Sequence, residues 1–158
     1  MKILVAIDGS EFSRNAVRFA SCLAMKIKAE VIALRVIDLP RYSHWMAVSN
    51  KVREEMTENS KKIIEETVAI GRDEFGIAIT GFIREGSPAE EIIKAVNEDE
   101  TIAMLVLGAS GKGHAVRKIV GSTTEGLIHE VNRALHCAVI VVPGSDEAYN
   151  KRCAIIHR

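Results

Sequence analysis

The stretch Ile3-Leu4-Val5-Ala6-Ile7-Asp8-Gly9-Ser10 decides the fold. Successive apolar residues rich in Ile, Leu and Val give way to a carboxylate, a glycine and a hydroxyl. That order describes a strand buried on both faces, a tight turn and the N-cap of a helix. Working outward, similar runs return at Val31 to Ile37, interrupted by Arg35, at Ile102 to Leu107 and at Ala138 to Val142, with a weaker one at Ile77 to Ile83. Between the runs apolar residues step by three or four: Phe12, Ala16, Phe19/Ala20, Leu23, Ile27, and then Val52, Met56, Ile63, Thr67, Ile70 with one turn skipped. Ser87-Pro88-Ala89-Glu90 reads as a capping box with proline at the first helical position, opening a stripe of Ile92, Ile93 and Val96. A last helix is expected from about Ser122, with Leu127, Ile128, Val131 and Leu135 inward. Strands separated by whole helices run parallel, and right-handed crossovers place helices on both faces of the sheet. The predicted fold is therefore α/β: a single-domain, doubly wound, five-stranded parallel sheet. One domain is expected over 1–143, with 144–158 a C-terminal tail that shows no clear element.

The length of 158 residues fits one domain with a core of its own. Lys+Arg 21 against Asp+Glu 21 leaves no net charge, so the broad basic field that gathers nucleic-acid phosphates is missing. No nucleic-acid partner is expected. The first apolar run is too short for a secretory h-region, and stretches free of charge, such as Ala134 to Ser145, are too short to span a bilayer. No membrane partner is expected either. Cys22, Cys137 and Cys153 are odd in number and lack CxxC spacing, which reads as reduced thiols in a cytoplasmic protein, with Cys22 and Cys137 as buried small hydrophobes. Arg41 to Asn50, holding Tyr42, His44 and Trp45, is the long connection, read as a packed or partner-contacting turn ahead of a lid.

In an open α/β sheet, ligands bind outside the carboxyl ends of the strands where the winding reverses. Two loops stand there. In Asp8-Gly9-Ser10, Ser10 can cap the first helix; Asp8, taken alone, favours bracing the turn over holding a ribose or base. The second loop runs from Gly108-Ala109-Ser110-Gly111-Lys112-Gly113-His114 to Gly121-Ser122-Thr123-Thr124. Glycines let backbone N–H groups approach an anion, and a helix N-terminus adds positive partial charge and hydroxyls. This is a phosphate cradle, but not a Walker A loop, since His114-Ala115 stands where Lys-Ser/Thr is required. Nor is it a Rossmann fingerprint, since Val116 takes the third glycine position. Lys112, Arg117 and Lys118 could neutralise phosphates or be solvated loop charges. His114, His129 and His136 lack the spacing of a zinc site.

At this point the chain resembles the nucleotide-binding subgroup of the universal stress proteins. Their motif is Gly, two residues, Gly, nine residues, Gly, then Ser or Thr; Gly108, Gly111, Gly121 and Ser122 fit it in full. The opening Ile-Leu-Val-Ala-Ile-Asp-Gly-Ser, Val36-Ile37-Asp38 and Gly86-Ser87-Pro88 extend the likeness to Val142. The resemblance implies strand order 3-2-1-4-5, with strands one and four side by side at the switch point. It implies that Asp8 and the Val36 backbone hold an adenosine, that Gly108, Ala109, Ser110 and Gly111 line ribose and phosphates, and that Gly121, Ser122, Thr123 and Thr124 bind the phosphate tail. The implied ligand is ATP, or AMP or ADP, with Mg or Mn accompanying the phosphates. Ala109 replaces a common Ser and leaves the backbone amides in place.

Catalytic residues are not assigned. Hydrolysis needs a water-orienting group, and no Gln, Glu or Asp follows the glycine loop at an obvious reach. A phospho-receiver fails because Asp8 stands alone after strand one, and Arg84-Glu85-Gly86 and Pro143-Gly144 occupy its other positions. The expected function is a dimeric, nucleotide-dependent regulatory switch in stress response, not an enzyme; the alternatives are a slow Mg-dependent ATPase or nucleotidyl-transfer domain, and a nucleotide-free interaction module. Arg41 to Asn50 and Lys112 to Val120 are the candidate moving elements. The uncharged last strand, Ala138 to Val142, is an edge that calls for a cover, so a homodimer through it is expected, as the resemblance also implies.

Overall fold

The computed structural model describes residues 1–38, 46–110, 121, 123–127 and 135–143, with side chains of 46–49 outside the description. The elements are β1 (Lys2–Ile7), α1 (Glu11–Ile27), β2 (Glu30–Ile37), α2 (Met46–Phe75), β3 (Ile79–Glu85), α3 (Pro88–Asn97), β4 (Ile102–Gly108) and β5 (Ala138–Val142). Residues 123–127 are also helical. The sheet order is β3-β2-β1-β4-β5 and every pairing is parallel, the order and sense expected from the sequence.

Burial explains why the apolar runs differ in strength. Ile3, Leu4 and Val5 on the central strand are wholly buried, because helices cover both faces there. Ile3, Val5 and Ile7 join Ala16, Val17 and Ile63 under α1 and α2, whereas Leu4, Leu34 and Leu105 join Ile92, Val96 and Leu127 under α3 and the 123–127 turns. β3 is an edge strand and only partly buried, so its run is broken by Thr80, Gly81 and Arg84 and begins at Ile79, not Ile77. Gly81 lets α2 settle on β3: a Cβ there would lie 2.3 Å from Ile64.

Four local expectations change. Residues 46–50 of the supposed long connection belong to α2; residues 39–45, with Tyr42, His44 and Trp45, lie outside the described residues. Ser87 caps α3 through its backbone alone, accepting from Glu91 N–H at 2.9 Å with no side-chain cap bond, since Pro88 already presets the first helical φ. Leu135 packs on the second core cluster but is not helical, and Ile128 and Val131 lie outside the description. Cys22 is buried as expected, whereas Cys137 is only half-buried; Cys153 and 144–158 fall outside. Among the described residues no helix is long and apolar enough to cross a membrane.

Candidate functional site

The chain turns away from the sheet in opposite senses after β1 and β4, and a cleft of about 180 Å³ opens at their carboxyl ends. Asp8, Val36, Gly108, Ser110, Gly121, Thr123 and Thr124, drawn from segments far apart in sequence, all line it. Pro88 and Ile92 of α3 form an apolar wall. Ala109 is not among the lining residues, and Gly111 and Ser122 lie outside the described residues, as do Lys112 to Val120.

On the β1 side the local sequence dictates a stiff turn. Gly9 takes φ +78°, which a side chain rarely adopts, and Asp8 Oδ1 accepts the Ser10 N–H at 2.8 Å. Ser10 Oγ then accepts the Ser13 N–H at 3.2 Å, capping α1 as expected, while the Ser13 hydroxyl donates to the Ser10 carbonyl at 2.9 Å. Arg14 donates to the Gly9 carbonyl at 3.2 Å and lies 3.8 Å from Glu66, tying the turn to α2. The bracing role of Asp8 is therefore present in the structure.

On the β4 side the backbone is largely self-paired. Ala109 N–H donates to the Val142 carbonyl at 2.9 Å, and Gly121 N–H donates to the Ala109 carbonyl at 2.7 Å, closing the long excursion between them. Thr124 Oγ1 donates to the Gly108 carbonyl at 3.1 Å, and Gly121 in turn accepts from Glu125 N–H at 2.8 Å. The Ala109 and Gly121 amides are thus paired within the protein and are not spare donors. Gly108 also has a packing reason: a Cβ there would sit 2.8 Å from the carbonyl carbon and oxygen of Phe12, so only glycine lets α1 pass so close.

Not every lining residue is one that the sequence assigns to the site. Arg35, on β2 opposite Ile7, lines the cleft, and its buried Nε has no hydrogen-bond partner. Burial pushes the guanidinium below its usual value, opposed by the Asp8 carboxylate. Its signal was visible as the one charge interrupting an otherwise apolar central strand. Burial pushes the half-buried Cys137 thiol up, which disfavours its thiolate.

The family model for universal stress proteins matches residues 1–143. The chain belongs to the universal stress protein family. Among its relatives, universal stress protein MJ0531 of Methanocaldococcus jannaschii is 33% identical over 147 residues, covering 89% of this chain and 81% of that protein. In solved structures, the universal stress protein UspA of Lactobacillus plantarum superposes with a TM-score of 0.78 at 25% identity, over 90% of this chain and 97% of that one. A universal stress protein of Archaeoglobus fulgidus, solved in complex with dAMP, has the same fold with a TM-score of 0.65 at 21% identity, over 90% of this chain and 97% of that one.

Proposed function

We propose that this universal stress protein binds an adenine nucleotide, ATP or else AMP or ADP, in the cleft between β1 and β4. It acts as a dimeric nucleotide-dependent switch in stress response and not as a catalyst. The observation that carries the reading is the convergence of Asp8 and Val36 with Gly108, Ser110, Gly121, Thr123 and Thr124 on one cleft at the switch point. A family relative is described in complex with dAMP, which is consistent with it. The cleft volume of about 180 Å³ is below the ~300–1,000 Å³ usual for small-molecule sites, so the nucleoside would be enclosed while the phosphates extend outward.

Because Ala109 and Gly121 amides are already paired, phosphate contacts in this reading fall to the Ser110 and Thr123 side chains and to Gly111 and Ser122 of the family motif. Among the described residues no group of three His, Cys, Asp or Glu side chains converges. Mg or Mn would arrive with the phosphates, as such ions do at one or two protein oxygens. β5 supports the dimer: it is a sheet edge, Ala138 is exposed and Val139, Ile140 and Val141 are only half-buried.

The test is to denature freshly purified protein, chromatograph the released small molecules and assay the native protein for Mg-dependent turnover. Recovered adenine nucleotide without turnover is the expected result; turnover would favour a slow ATPase, and an empty eluate would leave an interaction module. Light scattering at micromolar concentration should show a dimer, and Ile140→Lys should give monomers. A monomeric unaltered chain would remove the dimer from the reading.

A further inference from the structure

Helix α1 has two flanks with different surroundings. Arg14 lies 3.8 Å from Glu66 and Arg18 donates to Glu74 at 2.8 Å, which fixes one flank against α2. On the other flank Glu11, Asn15, Phe19, Cys22 and Lys26 follow one another at helical spacing. Beyond that flank the sheet continues as β5, whose Ile140 packs against the core under α1, so helix and strand form a groove with Ile140 in its floor. The middle of the stripe is buried, although Ala16, Ala20 and Ala24 are the side chains that pack α1 on the sheet: Asn15 is 0% exposed and Cys22 4%, while Glu11 and Lys26 at the two ends are exposed. Asn15 Oδ1 accepts from Arg18 at 3.3 Å, and its buried Nδ2 has no partner, a donor that calls for an acceptor. The covered part of the stripe is about two turns, roughly 10 Å of helix.

We infer that residues 144–158 of the same chain dock in this groove, with Cys153-Ala154-Ile155-Ile156 lying along α1 between Asn15 and Cys22. β5 ends at Val142, whose carbonyl accepts from Ala109 N–H beside the first turn of α1, so the chain leaves the sheet at the head of the groove. From there residues 144–158 can span up to ~50 Å, and the apolar run itself about 13 Å, which matches the covered length. Lys151 and Arg152 precede the run and come level with Glu11, their charge complement, at the end from which the segment arrives. An extended segment also carries backbone carbonyls, the acceptors that Asn15 Nδ2 lacks. Other segments are poorly placed to cover the stripe. Residues 39–45 join β2 to α2 on the far flank, and 128–134 run from Leu127 to Leu135, which pack on the opposite face of the sheet. The loop 111–120 returns at Gly121 to the Ala109 carbonyl, close to Phe12, and would have to extend fully to draw level with Cys22, about 15 Å down the helix. The docking stands apart from the nucleotide reading, since the groove lies outside the cleft.

The test is iodoacetamide alkylation of the native full chain, resolved by peptide mass. Cys22 reports on the groove, and Cys137, which packs on the opposite face of the sheet, is the internal control. In the unaltered chain Cys22 should react slowly, at a rate independent of protein concentration. Ile155→Asp combined with Ile156→Asp should raise the Cys22 rate at least roughly tenfold and leave Cys137 unchanged, the mark of a lost local cover. Ile155→Ala combined with Ile156→Ala should give a smaller rise of the same kind and carries the test if the charged variant loosens the whole fold. Equal Cys22 rates in all three chains overturn the docking, as does a rise that Cys137 shares in both variants. Protection of Cys22 that grows with protein concentration puts a second copy in the groove and overturns it as well.

Discussion

At the amino end of the sheet the Lys2 ammonium lies 2.7 Å from Asp99, and Thr101 donates its N–H and hydroxyl to the other oxygen of the same carboxylate at 2.9 and 2.5 Å. At the carboxyl end, by contrast, Arg35 keeps a buried Nε without a partner, and Ser110, Gly121, Thr123 and Thr124 face a cleft. One sheet, built from the same kind of strand, closes its polar groups on themselves at one end and sets some of them facing a cleft at the other. The difference follows from topology: the winding reverses at the carboxyl ends of β1 and β4, where neighbouring loops diverge and open a cavity.

The comparison breaks most severely at Gly108. Gly108→Val would drive side-chain atoms into the Phe12 backbone, 2.8 Å from the missing Cβ, and should cost at least about 2–3 kcal/mol in denaturant unfolding. Nucleotide affinity should fall with it, because the lesion shifts the first turn of α1 against the cleft. A variant as stable as the parent would show that the glycine serves only the ligand. Next comes Ser10→Ala, which removes the N-cap of α1 and should lower stability by about 1 kcal/mol in the same assay. Thr124→Val deletes the 3.1 Å bond to the Gly108 carbonyl at near-constant volume; a loss of about 0.5–1.5 kcal/mol is expected, with weaker Mg-ATP binding by calorimetry.

The smallest effect belongs to the closed end. Lys2 and Thr101 hold the Asp99 carboxyl at about 2, against an ordinary value of 3.8. A carboxyl lowered by folding contributes stability that is present above the unfolded value and lost as pH falls through the folded one. Asp99→Asn should therefore flatten the acid limb of a pH–stability curve between about 4 and 2 and leave nucleotide affinity unchanged, since the site lies at the opposite end. Thermal melts across that pH range check it.

Much of this was legible in the residues. Ile3 to Ile7 and Ile102 to Leu107 are apolar at every position because both faces are covered, so the strands and their parallel sense could be read directly. The sheet order came from the likeness to a family, not from periodicity, which fixes no neighbour. Along the site, the glycine loop was readable because its spacing is a pattern, whereas Val36 and the ligand role of Asp8 came from the likeness to the family. Arg35 was seen only as an interruption; nothing local says that its register opposite Ile7 sets it at the cleft. That the Ala109 amide pairs within the protein likewise depends on Val142 reaching the end of β4, and that of Gly121 on the chain returning to the Ala109 carbonyl, contacts set by tertiary packing.

The most direct test of the central claim is a calorimetric titration of nucleotide-free protein with Mg-ATP, run in parallel on Asp8→Ala. A saturable heat in the unaltered chain, weakened roughly tenfold by Asp8→Ala, is the predicted result, corresponding to about one hydrogen bond of contact and the loosened turn. No heat in the unaltered chain, or an affinity indifferent to Asp8, would contradict it.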